Sequence, residues 1–233
     1  TLAMATYGPI SLSLLKEKPA GRQEIKTYTI ASDQQQIVYK SIRNCVRGNQ
    51  QCYWVCPLIT ESEYIQAQNV EQAYARLCEQ LSELRIEVIH GQVPIANREK
   101  ILESFRRGEV DVLVSTLVIE VGVDSPTASL IVIESPERLG LSQLHQLRGR
   151  VGRGRHQGYC LLVYDSQLTS QALERLKALC ESQDGFYLSD VDLKLRGPGE
   201  VLGTRQTGQI QFKFFNIVED EDSILNILEQ CRD

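Results

Sequence analysis

Short runs of apolar residues alternate with amphipathic segments between residues 24 and 164. Some of the apolar runs are almost wholly hydrophobic and rich in β-branched residues, as in Val110-Asp111-Val112-Leu113-Val114 and Leu130-Ile131-Val132-Ile133. Such runs are typical of strands that are buried on both faces of a parallel sheet. The pattern predicts six strands, over residues 25–30, 51–58, 86–90, 110–115, 130–134 and 159–164.

The segments between the predicted strands have the apolar spacing of amphipathic helices. In residues 95–107, an apolar stripe that includes Ile101 and Phe105 lies opposite basic side chains, and Pro94 and Gly108 flank the segment as helix-boundary residues. The predicted helices cover residues 34–47, 70–81, 95–107 and 141–151. Alternating strands and helices predict an α/β fold, in which a parallel sheet is covered by helices on both faces.

The pattern changes after Tyr164. Two further helices are predicted, over residues 168–182 and 189–195, and a loop rich in Gly and Pro follows them. We therefore expect three parts: an α/β domain over residues 1–165, a small helical hairpin with its loop over residues 166–215, and an acidic, helical C-terminal segment over residues 216–233.

The chain has 25 Lys and Arg residues against 30 Asp and Glu, and its formal net charge of −5 argues against a free-standing DNA-binding domain of high affinity. The charge is unevenly distributed, because residues 138–164 contain five arginines and no acidic residue. Of the seven cysteines at least one must stay unpaired, and no second Cys or His pair accompanies Cys52 and Cys56. Neither a disulfide scaffold nor a metal site is therefore expected. No apolar run approaches the roughly 20 residues of a membrane span, which favours a cytoplasmic protein with no membrane contact.

The most specific segment is Gln146-Leu147-Arg148-Gly149-Arg150-Val151-Gly152-Arg153. Closely spaced arginines repel one another, so a fold tolerates them best where an anion is expected nearby. Guanidinium groups stay charged and present forked donors that fit phosphate oxygens. From the residues alone, the segment is either a phosphate site or a solvated basic surface.

The spacing Gln146-x-x-Gly149-Arg150-x-x-Arg153 resembles motif VI of the superfamily 2 helicases. In that family, two arginines reach across a cleft to the γ-phosphate of ATP, which the preceding domain holds, and stabilise the charge that develops during phosphoryl transfer. The resemblance implies that Arg150 and Arg153 are catalytic arginine fingers and that Gln146 lies near the nucleotide. It also implies that the α/β domain is RecA-like.

Residues 115–124 follow an apolar strand directly and resemble motif V of the same helicases. The resemblance implies that Thr116 contacts the DNA backbone. It also implies that Glu120, Gly122 and Asp124 link this contact to the nucleotide cleft, with Gly122 and Asp124 binding ATP. Taken singly, Thr116 and Glu120 have the alternative interpretation of ordinary loop residues.

Two shorter segments also resemble helicase motifs. Residues 55–58 are similar to motif IV, which places Pro57 at the DNA. His90 and Gly91, with Arg98 on the next predicted helix, resemble an element that grips the nucleic-acid backbone. The alternative for His90 is a packed or capping histidine.

Residues 195–206 resemble the end of the translocation motif of the RecG family of DNA helicases, which the transcription-repair coupling factors share. In this motif two helices and a loop act as a lever that converts closure of the motor into movement along duplex DNA. The family's residues correspond to Arg175, Arg196 and Gln206, although the last two have the alternative role of stabilising a Gly-rich loop. Pro198 favours the RecG family, since the coupling factors usually have Ala there.

No Gly-Lys-Ser/Thr sequence is present, so the chain lacks a loop that would cradle the phosphates of ATP. The resemblance therefore implies that the isolated chain neither binds nor hydrolyses ATP, and that ATP with Mg²⁺ is bound in the full-length protein. The implied partners are branched DNA, such as stalled forks and Holliday junctions, and a first motor domain and an N-terminal wedge domain on the same polypeptide. The implied location is the bacterial cytoplasm, in association with the nucleoid. Two alternatives remain, a transcription-repair coupling factor and a non-catalytic α/β module that binds nucleic acid through its basic segment.

Overall fold

The computed structural model describes residues 23–57, 63–116, 125–165 and 167–196. The described residues up to Gln183 belong to one compact unit, and the described residues from Asp184 to Arg196 belong to another. Of the predicted site residues, Glu120, Gly122, Asp124 and Gln206 lie outside the described residues, as does the side chain of Arg196.

All six predicted strands are present, and every neighbouring pair in the sheet is parallel. The spatial order of the strands is β1-β6-β5-β2-β4-β3. Their bounds are β1 (Lys26–Ala31), β2 (Gln51–Val55), β3 (Ile86–Ile89), β4 (Val112–Ser115), β5 (Ala128–Glu134) and β6 (Tyr159–Tyr164). The prediction of a parallel sheet is confirmed.

The helices of the described residues match the predicted ones in number and order, with different ends. They are α1 (Gln35–Arg47), α2 (Glu63–Gln80), α3 (Ile95–Arg106), α4 (Leu141–Arg148), α5 (Ser170–Glu181) and α6 (Gly185–Arg196). Helix α4 stops three residues earlier than predicted, at Gly149. Helix α6 starts four residues earlier than predicted, because the side chain of Asp184 accepts hydrogen bonds from the backbone N–H groups of Phe186 and Tyr187.

Helices cover both faces of the sheet, as the sequence predicts. Successive residues of a strand point to opposite faces, so Tyr53 and Trp54 in the middle of β2 identify the two sides. Trp54 belongs to a buried cluster with Ile42 of α1 and Leu77 of α2. Tyr53 lies against Phe105 of α3, with the ring centroids 5.0 Å apart. The α/β fold with helices on both faces is therefore confirmed.

Helix α5 contacts β1, α4 and the short 3-10 turn that precedes α4, Pro136–Arg138. It therefore lies in the same compact unit as the sheet, although the sequence places it in the hairpin. The domain boundaries at residues 165 and 215 stay a prediction. None of the helices in the described part of the chain combines the length and apolar character that a membrane span requires.

The buried side chain of Gln51, at the start of β2, connects three parts of the sheet unit. Its amide nitrogen donates to the backbone oxygens of Phe105 and Val110, at 2.6 Å each. Its amide oxygen accepts hydrogen bonds from the hydroxyl groups of Ser125 and Thr127. All the hydrogen-bonding groups of this buried amide are thus used to hold the end of α3 and the turn before β5.

We expect Gln51→Leu to lower the free energy of unfolding of the chain by about 3 kcal/mol, because buried carbonyl and hydroxyl groups would lose their partners. The measurement is the midpoint of urea unfolding at an unchanged slope. The control is Gln80→Ala, which removes an exposed glutamine from the last turn of α2. Equal midpoints for the two variants would show that the Gln51 network does not stabilise the fold.

Candidate functional site at two opposite edges of the sheet

Three of the predicted DNA-binding segments lie side by side at the carboxyl edge of the sheet. Ser115, the last residue of β4, is paired with Val55 on one side and with Ile89 on the other. The next residues along these strands, Cys56, Thr116 and His90, therefore leave neighbouring parallel strands at the same level. Adjacent strands lie about 4.8 Å apart, so the three segments form one continuous border.

Thr116 stands in the middle of this border and is 2% exposed. Neither its hydroxyl group nor that of Ser115 has a hydrogen-bond partner among the described residues. A buried hydroxyl without a partner costs roughly 1–3 kcal/mol, so such groups usually serve a ligand, a water or a neighbouring segment. The DNA contact of Thr116 that the motif implies stays a prediction.

The imidazole ring of His90 points into the protein, where its Nε2 lies 2.8 Å from Oε1 of Glu71 on α2. His90 is only 7% exposed, whereas Gly91 is exposed and an added Cβ there would meet no atom within 4 Å. Arg98 of α3 also faces the loop, since its Nε donates to the backbone oxygen of Val93 at 2.8 Å. These contacts favour the packed-histidine alternative for the ring and leave the Gly91 backbone as the part that a DNA strand can approach.

An ion pair that the sequence did not indicate joins helix α2 to β5 at the same edge. Arg76 of α2 contacts the carboxylate of Glu134, the last residue of β5. The thiol of Cys56 donates to the other oxygen of that carboxylate, at 3.3 Å. Burial, followed by the charge of Glu134, raises the pKa of Cys56 well above the ordinary value, so this thiol stays protonated. Cys56, the residue before Pro57, is thereby attached to β5, the strand that precedes α4 and the arginine segment.

The arginine segment lies at the opposite, amino edge of the sheet. Helix α4 starts after the carboxyl end of β5 and runs back, so that the backbone N–H of Gly152 donates to the oxygen of Ala128, the first residue of β5, at 3.3 Å. Gly154 lies against Pro126, and an added Cβ there would be 2.1 Å from the Pro126 oxygen. Since β5 has seven residues, roughly 20 Å separates this edge from the border around Thr116.

One side of α4 is buried, and the candidate nucleotide-binding residues lie on its other side and in the turn that follows it. Gln146 and Arg153 are exposed and Arg150 is half-buried, whereas Leu144 and Leu147 are fully packed. The Nε of Arg153 donates to the backbone oxygen of Gly149 at 3.1 Å, which stabilises the turn between the two predicted arginine fingers. Their guanidinium groups are thus presented from one short, ordered segment.

Arg175, predicted from the translocation motif, binds the turn that leads into α4. Its two terminal nitrogens donate to the backbone oxygens of Leu139, at 3.2 Å, and Glu137, at 3.1 Å. The structure thus places Arg175 of α5 at the start of α4, the helix that leads into the arginine segment. Within the described residues, no group of three or more His, Cys, Asp or Glu side chains could hold a metal ion.

The model of the helicase conserved C-terminal domain family matches residues 33–155, which include both edges. The chain is similar to the ATP-dependent DNA helicase RecG of Pasteurella multocida, with 47% identity over all of this chain and 34% of that protein. It is similar to the same enzyme of Escherichia coli K12, with 44% identity and the same coverage. The chain therefore spans about one third of the length of these relatives.

Solved structures extend the comparison. A structure of RecG bound to a three-way DNA junction covers 90% of this chain with 38% identity and a TM-score of 0.69, and the match takes up 27% of that chain. The RNA-bound protein Mss116p shares 18% identity and a TM-score of 0.54 over 72% of this chain and 32% of its own. The second likeness shows the fold alone.

Proposed function

Because the chain belongs to the family of helicase conserved C-terminal domains, we propose that it is the second motor domain of a RecG-type ATP-dependent DNA helicase. In this role Arg150 and Arg153 act on ATP that the first motor domain of the same polypeptide holds. The whole enzyme moves along and remodels branched DNA in recombination and repair, in the bacterial cytoplasm. Support for branched DNA comes from the RecG structure on a three-way junction, to which the chain is similar over 90% of its length.

The observation that carries the proposal is the separation of two kinds of residue on opposite edges of one sheet. The carboxyl edge contains the exposed Gly91 and, beneath it, the buried hydroxyl group of Thr116, and uncharged polar groups of this kind suit a sugar-phosphate backbone. The amino edge presents Arg150 and Arg153, whose guanidinium groups suit a triphosphate. A domain with one ligand at each edge is suited to couple a change at one ligand to movement of the other.

The residues of the amino edge fit ATP that is bound mainly by another domain. Two arginines on an ordered turn can stabilise the charge on the transferred phosphoryl group. The chain has no phosphate-cradling loop, and the described residues offer no cluster of acidic metal ligands. We therefore assign the binding of Mg²⁺ and of the triphosphate to the first motor domain. The residues of this chain that we assign to the nucleotide site are Gln146, Gly122, Asp124 and the two arginine fingers.

The residues proposed to act on DNA form two groups. Pro57, His90, Gly91 and Thr116 belong to the carboxyl edge, where the His90 ring supports the loop and Gly91 contacts the strand. Arg175, Arg196 and Gln206 belong to the proposed translocation motif. Arg175 supports this assignment through its contacts with the turn before α4.

The test compares ATP hydrolysis by the chain alone with hydrolysis by the chain joined to the upstream domains of its own gene product (the joined protein). We expect no turnover by the chain alone, and turnover on the order of 1–100 s⁻¹ by the joined protein with forked DNA. A coupled assay of ADP release measures both. Turnover by the chain alone would contradict the proposal, as would a joined protein whose hydrolysis is indifferent to DNA.

A further inference from the structure

A polar cleft lies between the exposed side of α2 and the loop that follows β3. Its volume is about 470 Å³, and its walls include Gln68, Glu71 and Gln72 of α2 together with His90 and Gln92. The residues of α2 are three and four positions apart, so they share one face of the helix. Because Gln92 directly follows the exposed Gly91, the cleft adjoins the border at which a DNA strand is proposed to lie.

Three glutamine amides converge on this cleft, those of Gln68, Gln72 and Gln92. All three residues are exposed, and their side chains make no hydrogen bond within the part of the chain that the structure describes. A primary amide has both donor N–H groups and an acceptor oxygen, so it can pair with either kind of polar group. The edges of sugars and bases offer both kinds. The cleft is therefore equipped to bind a polar, uncharged surface.

The charge of the cleft disfavours phosphate groups. Among the described residues that line it, Glu71 is acidic and none is a lysine or an arginine. The Glu71 side chain is 50% exposed, and its Oε1 lies 2.8 Å from Nε2 of His90. A DNA phosphate next to this carboxylate would be repelled, so the phosphates stay outside at the Gly91 loop. The parts of the strand that can enter are its sugars and the edges of its bases.

The contact between His90 and Glu71 also forms the cleft before any ligand arrives. The side chain of His90 is only 9% exposed, and its Nε2 attaches the loop to the middle of α2. The other ring nitrogen, Nδ1, is buried and has no partner among the described residues. Because the loop is already held against α2, binding at Gln92 and at the α2 amides requires little ordering of the chain.

We propose that this cleft is a further DNA-binding site, in which Gln68, Gln72 and Gln92 form hydrogen bonds with sugar and base edges next to the strand at the Gly91 loop. This proposal rests on the proposed function. Since an amide donates and accepts alike, the contact does not depend on base sequence, which suits a protein that moves along DNA. The contact adds affinity without neutralising a phosphate group.

The experiment measures the affinity of the joined protein for forked DNA by fluorescence anisotropy at several salt concentrations. We expect the double variant Gln68→Ala, Gln92→Ala to bind about tenfold more weakly, because two neutral hydrogen-bonding groups are lost. The slope of log affinity against log salt should change by less than about half a unit, whereas loss of one phosphate contact would change it by about one. Turnover of ATP at saturating DNA should stay within about twofold of the unchanged protein.

A charge substitution tests whether DNA enters the cleft. Gln72→Glu keeps the size of the side chain and adds a carboxylate, so we expect about tenfold weaker binding at low salt. The matched control is Gln80→Glu. Gln80 is the exposed last residue of the same helix, eight residues and about 12 Å beyond Gln72. Its substitution should change the affinity by no more than about twofold.

Several outcomes would overturn the proposal. The first is equal affinity of the double variant and the unchanged protein, and the second is an equal loss for Gln72→Glu and Gln80→Glu. A third is a loss of affinity that comes with a lower urea midpoint of the joined protein, since the amides would then stabilise the fold rather than bind DNA. If the unchanged joined protein neither binds forked DNA nor hydrolyses ATP in response to it, the proposed function fails. Failure of the cleft variants alone leaves that function standing.

Discussion

Replacement of Arg150 or Arg153 by alanine in the joined protein is expected to lower the turnover number for ATP about 10³-fold. Both side chains are presented from the turn that follows α4, which the bond from Arg153 to the Gly149 oxygen stabilises. An arginine finger acts on charge that develops only in the transition state, so its loss affects turnover much more than binding of ATP. The affinity for forked DNA should change by no more than about threefold.

The measurement is steady-state hydrolysis with saturating forked DNA, together with DNA affinity at several salt concentrations. Arg155→Ala is the matched control, since Arg155 belongs to the same basic segment but lies outside the motif, and it is exposed. We expect this control to keep nearly full turnover. Arg150→Lys tests the forked geometry, because an ammonium keeps the charge but cannot donate two parallel hydrogen bonds.

A non-catalytic nucleic-acid-binding module makes the opposite prediction for the same variants. Each lost phosphate contact would weaken DNA binding and reduce its salt dependence by about one unit of slope, with turnover unaffected. Loss of Arg155 would then resemble loss of Arg150 or Arg153. That pattern would contradict the arginine-finger assignment and favour the basic segment as a DNA surface.

The sheet could be predicted from the sequence because its strands are buried on both faces. Strands β4 and β5 are apolar along nearly their whole length, a pattern that few other elements show. The predicted ends of helices and strands were less accurate where a hydrogen bond from a local polar side chain determines the end. The carboxylate of Asp184 starts α6 four residues before the predicted position, and the apolar pattern contains no trace of that contact.

The candidate site was predictable only as far as its residues are close together in the sequence. Arg150 and Arg153 were predicted from the resemblance of their segment to motif VI, whereas the partners of buried polar groups lie far along the chain. His90 and Glu71 are 19 residues apart, and Arg148 and Leu179 are 31 apart. Such pairs follow from the packing of α2 on β3 and of α4 on α5, which residue types alone do not specify. The register of the parallel strands was also needed to show that the two groups of candidate residues lie at opposite edges of the sheet.

The contact between Gly154 and Pro126 joins the end of the arginine segment to the turn that follows the motif V segment. An added Cβ at Gly154 would lie 2.1 Å from the backbone oxygen of Pro126 and 3.2 Å from its carbonyl carbon. Neither atom belongs to a flexible side chain, so the two segments would have to separate. The polar network of Gln51 holds Ser125 and Thr127 on both sides of Pro126, which limits how far that turn can move.

Gly154→Ala is therefore expected to lower the free energy of unfolding by about 3 kcal/mol and to reduce DNA-dependent hydrolysis by the joined protein more than tenfold. Gly91→Ala is the control for stability, because an added Cβ there meets nothing within 4 Å. Urea unfolding of both variants measures the first effect, and hydrolysis with forked DNA measures the second. If Gly154→Ala has the same urea midpoint as the unchanged chain, the two segments separate without a loss of stability. Their contact then does not hold the arginine fingers in place. If stability falls but turnover per folded molecule is unchanged, the contact stabilises the fold without orienting Arg150 and Arg153.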